Sequence, residues 1–338
     1  METLSYIISK DNIGKLVERL LSSGKDVYAP VKENESKINF QKIKAYTECY
    51  LEYIQTTFSA KKVTFPPVEK LFDYSINKTD KTINDSIPGS IPEFVLFATH
   101  PCDAAAFDVL KKVFTSDTTD IQFNTRYNKM TVISFTCTSG DADCFCTSVN
   151  LAPDSTKGSD ILLTYLDSGD LQADVLTEKG KNIIELATDI FQPSDNTHKK
   201  IIAKIESKFE LDKLQQNLHT AFEKPIWVEQ AMRCIGCGAC AFVCPTCSCY
   251  DIQDEGTPYK GIRLRCWDTC GLSNFTMHTS GHNPREKQNQ RWRQRILHKY
   301  TYQPEQLAIL GCTGCGRCSR ACPVDMNILE HIKKISEE

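Results

Sequence analysis

The sequence predicts an α+β protein, with an α/β domain in residues 1–225 followed by a mostly helical domain in residues 226–338. In the first part, continuous apolar runs of strand length lead into segments with helical periodicity, which is the pattern of an α/β layer. In the second part, segments with helical periodicity surround two cysteine runs of the same spacing. A chain of 338 residues is also long enough for two domains.

Three apolar runs of strand length form the predicted centre of the first domain. They cover residues 94–99, 131–136 and 161–166. The first run leads at once into Cys102 and a helix predicted over residues 104–114, and the second run ends at Cys137. If these two strands are parallel neighbours, their carboxyl ends bring both thiols to the same edge of the sheet.

The rest of the first domain is predicted from periodicity and from proline content. Apolar residues at helical spacing predict helices over residues 13–21, 183–190 and 201–214. Residues 26–31 are predicted to form a strand. Residues 60–92 contain four prolines among polar residues and are predicted to be a long surface loop. We place the domain boundary near Pro225.

Two cysteine runs dominate the second domain. They consist of Cys234, Cys237, Cys240 and Cys244, and of Cys312, Cys315, Cys318 and Cys322. Each run reads C-x2-C-x2-C-x3-C-P, which is the spacing of two-cluster ferredoxins. In those proteins three cysteines hold one [4Fe-4S] cluster, and the cysteine before the proline binds the other cluster. The sequence therefore predicts a two-cluster ferredoxin-type domain.

The two predicted clusters each take ligands from both runs. One cluster is assigned to Cys234, Cys237, Cys240 and Cys322, and the other to Cys312, Cys315, Cys318 and Cys244. Zinc sites favour paired C-x2-C knuckles and do not require three cysteines and a C-P in each half. Disulfide frameworks are typical of small secreted chains, and residues 1–10 show no secretory leader.

Composition narrows the class of protein further. Seventeen cysteines in a chain without a leader indicate metal binding in a reducing compartment, so we expect a cytoplasmic protein. The net charge of −3 gives no reason to expect a nucleic-acid partner. No apolar run is long enough to span a bilayer.

A third metal site is predicted in the first domain. Cys102 and Cys137 follow two predicted strands, and Cys144 and Cys146 lie on the loop after the second strand. Four thiols at one sheet edge suffice for a third [4Fe-4S] cluster. The spacing is also compatible with zinc, with a redox disulfide, or with unrelated buried thiols.

Several short motifs resemble one family when they are taken together and in this order. They are Pro101-Cys-Asp-Ala-Ala-Ala, Asp143-Cys-Phe-Cys-Thr-Ser, Cys244-Pro-Thr-Cys-Ser-Cys-Tyr, Trp267-Asp-Thr-Cys, Gly281-His-Asn-Pro-Arg-Glu and the last Cys-x2-Cys-Gly-Arg-Cys. The family holds the iron–sulfur β subunit of cytoplasmic sulfhydrogenases, which are NADP-linked nickel–iron hydrogenases, together with the corresponding iron–sulfur subunit of anaerobic sulfite reductase. The resemblance extends from about residue 25 to residue 330.

The resemblance implies a function that spacing alone does not. Members of the family are electron-transfer subunits that work beside a flavoprotein reacting with NAD(P)H, and the nickel–iron or siroheme centre lies on another subunit. Members also have cysteines at the positions of Cys102, Cys137, Cys144 and Cys146, which favours the third cluster. Cys247, Cys249 and Cys270 match the family pattern as well, whereas Cys266 does not.

From these observations we expect an electron-transfer subunit of an oxidoreductase complex. It would relay single electrons from or to a flavin-containing partner, with a hydrogenase or sulfite reductase subunit, or a ferredoxin, at the other end. The chain has no G-x-G-x-x-G fingerprint after a strand and no evident acid/base pair. The alternative is a sulfur or polysulfide reductase that acts at an exposed cluster or at the Cys247/Cys249 pair. The basic stretch from Arg285 to Arg295 is interpreted as a docking or cluster-screening surface.

Overall fold

The computed structural model describes residues 4–86, 91–194 and 197–337. In these residues the strands are β1 (Leu4–Ile8), β2 (Asp26–Asn34), β3 (Lys37–Ile43), β4 (Val68–Ile76), β5 (Lys81–Asp85), β6 (Phe94–Thr99), β7 (Met130–Phe135), β8 (Ile161–Tyr165), β9 (Leu171–Val175), β10 (Phe191–Pro193), β11 (Tyr250–Gly256) and β12 (Lys260–Trp267). The α-helices are α1 (Ile13–Ser22), α2 (Pro101–Phe114), α3 (Ile121–Lys129), α4 (Glu178–Glu185), α5 (Leu211–Thr220), α6 (Ile226–Ala231), α7 (Ala239–Phe242), α8 (Gln288–Leu297), α9 (Gln303–Leu307), α10 (Arg317–Arg320) and α11 (Ile328–Glu337).

The larger sheet contains eight strands in the order β10-β1-β9-β8-β7-β6-β2-β3. The four central strands β8, β7, β6 and β2 run parallel to one another. The flanking pairs are antiparallel. Because β6 and β7 are parallel neighbours, the segments that follow them leave the sheet at the same edge. Cys102 and Cys137 are therefore brought to one place by the topology, as the sequence predicts.

Helices cover both faces of this sheet. On one face α1 and α4 pack on alternate residues of the central strands, for example Leu16 against the layer that contains Val95 and Ile133. On the other face α2 and α3 pack against the intervening residues, among them Leu96 and Val132. Residues of β6 and β7 are buried on both faces, which explains why these strands are continuously apolar.

The C-terminal helices form a separate core. α5, α6, α8 and α11 contribute the buried side chains of Leu214, Trp227, Trp292 and Ile332. A π-helical turn, His298–Tyr302, continues α8 into α9. It contains Lys299 and Tyr300, and both side chains are buried.

A second, four-stranded sheet combines distant parts of the chain in the order β11-β12-β4-β5. β4 and β5 precede residue 225, and β11 and β12 follow it, so hydrogen bonds between β4 and β12 cross the predicted domain boundary. α5 also precedes this boundary and lies in the C-terminal core. The division at residue 225 remains a prediction, but the two parts share a sheet and a helical core.

The structure differs from three of the local predictions. In place of the helix predicted over 183–190 there is α4, which ends at Glu185, and a separate 3₁₀ turn, Thr188–Ile190. Residues 60–92 are not one long loop, because they contain β4 and β5; four residues of this stretch, 87–90, lie outside the described residues. Residues 201–208 are not helical, and the helix predicted over 201–214 begins only at Leu211. In the described parts of the chain, no helix combines the length and the apolar character needed to cross a membrane.

A buried charge cluster attaches the smaller sheet to the larger one. Arg265 on β12 is 2% exposed and donates hydrogen bonds to Glu69 on β4 and to Asp120 at the start of α3. Glu69 also accepts a hydrogen bond from Arg126. Three aromatic rings lie 5.2–5.4 Å from the guanidinium carbon, namely those of Phe65, Phe114 and Tyr250.

We expect the substitution Arg265→Met to lower the free energy of unfolding by about 3–5 kcal/mol, because it leaves buried carboxylates without one of their cations. The midpoint of denaturant unfolding, followed by tryptophan fluorescence, measures the loss. Arg263→Met is the matched control on the same strand, since Arg263 forms an exposed ion pair with Asp254. If both variants unfold at the same midpoint, the cluster does not stabilise the junction of the sheets.

Candidate functional site

The first predicted set of cysteines lines one cavity in the C-terminal part. The four thiols are those of Cys234, Cys237, Cys240 and Cys322. The cavity wall also contains Cys318, Trp292 and Arg295. Gln288 Nε2 donates to Cys234 Sγ at 3.0 Å, and the backbone N–H of Met326 donates to Cys322 Sγ at 3.2 Å. Hydrogen bonds of this kind stabilise sulfur that carries negative charge.

The second predicted set lies next to the first. Cys318 is close enough to Cys315, Cys244 and Cys312 for each to raise its pKa through their charges, after the larger effect of burial. Cys244, Cys312, Cys315 and Cys318 therefore lie close to one another, and their binding of one cluster stays a prediction. Lys299 Nζ donates to Cys244 Sγ at 3.3 Å, and the Gly314 N–H lies 3.4 Å from Cys312 Sγ.

The four cysteines predicted at the sheet edge line a second cavity. Its wall contains Cys102, Cys137, Cys144 and Cys146. Gly314 and Cys315 of the second run complete the wall on the opposite side. The sheet-edge set and the second set are therefore neighbours.

The loop that carries Cys144 and Cys146 is bonded directly to the second run. The backbone N–H of Phe145 donates to the Gly314 carbonyl at 2.9 Å. Gly314 has φ +65°, and a Cβ atom there would lie 2.5 Å from the backbone nitrogen of Cys146. Only glycine allows both this conformation and this approach. Arg320 further joins the two segments through hydrogen bonds to Asp141 and to Cys144 Sγ, the latter at 3.4 Å.

A buried ion pair also holds the second run against the sheet edge. Arg317, inside the second run, donates to both carboxylate oxygens of Asp103 at 2.7 and 2.6 Å. Arg317 also donates to the carbonyl of Thr56 at 2.9 Å. Gln55 Nε2 lies 3.3 Å from Cys102 Sγ and 3.3 Å from the Cys315 carbonyl oxygen, so it bridges the two cysteine sets.

Three buried cations lie among the C-terminal cysteines. Lys61, Arg295 and Lys299 are 3–4% exposed. Their hydrogen bonds go to carbonyl, hydroxyl and sulfur atoms, and no ion pair between described residues involves them. A buried cation is costly without an anion, and the nearest groups that can carry negative charge are thiolates.

The cations and the cysteines shift one another's pKa values. A hydrogen bond from Cys247 and the charges of Lys299 and Arg295 lower the pKa of Cys244 well below its ordinary value. Burial tends to lower the pKa of Lys299, but the sulfurs of Cys244 and Cys247 raise it above its ordinary value overall. This environment favours thiolate and ammonium together.

Burial acts on the sheet-edge set as it does on Cys240, Cys315 and Cys318, whose pKa values it raises. Burial raises the pKa of Cys137 to about 12 and that of Cys146 to about 11. Burial also raises the pKa of Cys102 well above its ordinary value. At neutral pH such thiols keep their protons unless a bound metal replaces them. These residues therefore suit either neutral buried thiols or metal ligands.

The donor set as a whole fits iron–sulfur clusters. Thiols line two cavities and form a third group between them, and buried cations are present to balance anionic clusters. Among the described residues, Arg295 Nε and the Tyr300 hydroxyl are buried without a hydrogen-bond partner. Both could donate to sulfur. In the same residues, no group of three or more His, Cys, Asp or Glu side chains is placed to hold a single metal ion.

The remaining C-terminal cysteines form contacts that the sequence did not predict. A contact with Cys247 lowers the pKa of Cys244, and a contact with Cys270 raises the pKa of Cys249, which lies close enough to Cys247 for that thiol to raise it further. The contact with Cys249 lowers the pKa of Cys270 to about 6. Cys266 is on β12 and hydrogen-bonds to Gln253.

Sequence reasoning missed the polar residues around the thiols. Arg317 and Asp103 are each adjacent in sequence to a predicted cysteine ligand. A charged residue next to a ligand was the sequence feature from which their role could have been predicted. Arg295 lies within the basic stretch from Arg285 to Arg295, which is interpreted as a docking or cluster-screening surface, and Lys299 follows it at helical spacing. Gln55 and Lys61 have no local signal, because only the fold brings them to the cysteines.

The comparisons with known proteins agree with this geometry. Residues 233–326 match the family described as "4Fe-4S dicluster domain". The chain is 31% identical over 320 residues to "Sulfhydrogenase 2 subunit beta" of Pyrococcus furiosus, covering 92% of this chain and 91% of that protein. No solved structure matches the chain.

The matched domain spans both cysteine runs, so the C-terminal part binds [4Fe-4S] clusters. The similarity to the Pyrococcus protein extends over nearly the whole chain, including the sheet-edge cysteines. The chain is an iron–sulfur protein that belongs to the sulfhydrogenase β subunit family.

Proposed function

We propose that the chain is an electron-transfer subunit of a cytoplasmic hydrogenase-type complex and that it relays single electrons through three [4Fe-4S] clusters. The ligands are the three cysteine sets described above, with Cys102, Cys137, Cys144 and Cys146 holding the third cluster. A bound [4Fe-4S] cluster supplies one-electron redox chemistry, whose potential depends on ligation, hydrogen bonds to sulfur and exposure.

One observation carries the proposal, namely that the three cysteine sets lie in a row. Cys315 belongs to the second set and also lines the sheet-edge cavity. Cys318 belongs to the second set and also lines the cavity of the first set. The second set therefore lies between the other two, and each neighbouring pair shares a cysteine-lined wall.

The residues around the three cysteine sets act in three ways. Buried cations near the second set offset the negative charge of thiolates, and Gln288 and the Met326 N–H orient and stabilise sulfur in the first set. The Arg317–Asp103 ion pair holds the sheet edge against the second run. Buried aromatic and apolar residues, such as Trp292 and Phe145, exclude water.

Partners on both sides are required, since the chain shows no nicotinamide-binding fingerprint. The name of the Pyrococcus relative points to a hydrogenase complex. We propose a flavoprotein that reacts with NAD(P)H on one side and, on the other side, a hydrogenase or sulfite reductase catalytic subunit or a ferredoxin.

Iron content tests the number of clusters. We expect about twelve irons per chain in anaerobically purified protein and about eight in the variant Cys137→Ser, because one four-iron cluster loses a ligand. Cys49→Ser is the control, since Cys49 is a partly buried thiol outside the three sets, and it should keep the wild-type content. About eight irons in both wild type and Cys137→Ser would remove the third cluster from the proposal.

Electron flow tests the relay. In the purified complex, Cys240→Ser should slow electron delivery to the terminal acceptor by more than about tenfold, since even changes to the groups that only orient metal ligands cost about 10–100-fold. Reduction of the partner's flavin by NAD(P)H should be unchanged. Cys266→Ser serves as the control. Unchanged delivery in Cys240→Ser would contradict a relay through the first set.

Redox potential tests the role of the buried cations. We expect Lys299→Met to lower the midpoint potential of the centre bound by Cys244, because the reduced state carries more negative charge and loses its ammonium neighbour. The expected shift is several tens of millivolts, given that about 59 mV corresponds to a tenfold change for one electron. A redox titration followed by electron paramagnetic resonance measures it. The exposed Lys333→Met should show no shift, and an unshifted Lys299→Met would refute the electrostatic role.

A further inference from the structure

The first cysteine set reaches the protein surface at Cys237. All seventeen cysteines lie in the described part of the chain, and Cys237 alone is exposed. Cys237 lines the cavity of the first set and also an open groove on its outer side. The apolar wall of this groove includes Phe58, Val68, Phe242 and Trp267. One thiol therefore separates the cavity from the groove.

Apolar side chains are exposed on the other side of Cys237 as well. Val228, Met232 and Ile235 are 57%, 79% and 64% exposed. Val228 lies on α6, Met232 directly follows that helix, and Ile235 lies inside the first run between Cys234 and Cys237. Large apolar side chains grouped around a redox site are typical of an interaction surface. We call the groove together with these three residues the Cys237 surface.

The Cys237 surface is bordered by cations that have no carboxylate partner. Lys62 lines the groove, Arg291 lines the cavity of the first set, and Arg233 precedes Cys234; no ion pair between described residues involves these three cations. The guanidinium of Arg291 donates to carbonyl oxygens, including that of Gly271 at 3.1 Å. Gln288 anchors this basic segment to Cys234. The excess is local, because the whole chain has a net charge of −3.

We propose that the Cys237 surface is the docking site for an acidic one-electron carrier protein. Its apolar centre would cover Ile235 and Met232, and its carboxylates would pair with the surrounding arginines and lysines. One electron passes between the two redox centres, so that one is oxidised and the other reduced, and no bond forms or breaks. The proposal rests on the proposed function and adds the place of electron exchange and the charge of the partner.

The other two sets are less suited to this role. The second set is enclosed between its neighbours, with Cys244 and Cys315 buried. The sheet-edge set has two buried cysteines, and Arg320 beside Cys144 is already paired with Asp141. The Cys237 surface thus combines an exposed thiol, exposed apolar residues and unpaired cations.

Binding of two carriers of opposite charge tests the proposal on the full chain. The probes are rubredoxin, a small acidic one-iron carrier, and cytochrome c, a basic one. Titration calorimetry at low salt should show binding of rubredoxin but not of cytochrome c. Rubredoxin binding should weaken as salt is added, because ions screen the charge pairs.

Matched variants locate the site. Ile235→Asp and Met232→Asp should each weaken rubredoxin binding at least tenfold and slow electron transfer to rubredoxin from the chain after dithionite has reduced it, since they add negative charge to the apolar centre. Ile83→Asp is the control, because Ile83 is 68% exposed on β5. Wild-type binding in both Ile235→Asp and Met232→Asp, or equal binding of cytochrome c, would overturn the proposal.

Iron content and the spectrum of the reduced state show whether a negative result contradicts the docking site or the proposed relay. If Ile235→Asp and Met232→Asp keep wild-type iron and spectrum and lose only binding, the docking site is supported. If both variants keep iron and binding, the docking site is wrong and the relay stands. If the wild-type chain holds no clusters, the relay itself fails.

Discussion

The arrangement of the three cysteine sets depends on one buried contact, the ion pair between Arg317 and Asp103. Arg317 lies between two cysteines of the second run, and Asp103 follows Cys102 at the sheet edge. The Arg317 side chain is 2% exposed and the Asp103 side chain 1%. A buried ion pair contributes little net stability compared with apolar residues, but loss of one partner is strongly destabilising. Its effect here is positional, because it allows only one alignment of the two segments.

Backbone contacts beside this ion pair make the alignment tight. The hydrogen bond from Phe145 to Gly314 and the left-handed conformation of Gly314 bring the Cys146 loop against the second run. A larger residue at position 314 would separate the two segments. Since electron transfer slows steeply with distance, this close approach is the feature that a relay requires.

The buried cations impose a second constraint, which concerns charge. Lys61, Arg295 and Lys299 are oriented towards sulfur and carbonyl groups, so the folded C-terminal part contains positive charge that protonated thiols do not balance. Deprotonated, metal-bound cysteines would balance it. Folding of this part and cluster binding are therefore expected to be coupled, as in other metalloproteins whose ligands become anionic on binding.

The sequence predicts the parts of this architecture that depend on local pattern. β6 and β7 appear as continuous apolar runs because both faces of these strands are buried, and the thiols that follow them meet because parallel strands share a carboxyl edge. β4 and β5 escaped prediction because their hairpin is largely exposed and polar, and because the other partner of β4 is β12, which is distant in sequence. Gln55 and Lys61 were missed because their partners are likewise distant in sequence. Residues 201–208 have helical periodicity, but their backbone pairs with the edge of the sheet instead, for example between the N–H of Ala203 and the Cys137 carbonyl.

The row of cysteine sets has a surface opening at each end, and this favours a relay over a storage site. At one end, Cys237 lines the open groove. At the other end, His100 and Ser139 line both the sheet-edge cavity and a neighbouring open cleft beneath Tyr165. A storage site needs a single point of access, whereas a relay needs two. The fold supplies two, because Cys318 of the second run lines the cavity of the first set and Cys315 of the same run lines the sheet-edge cavity.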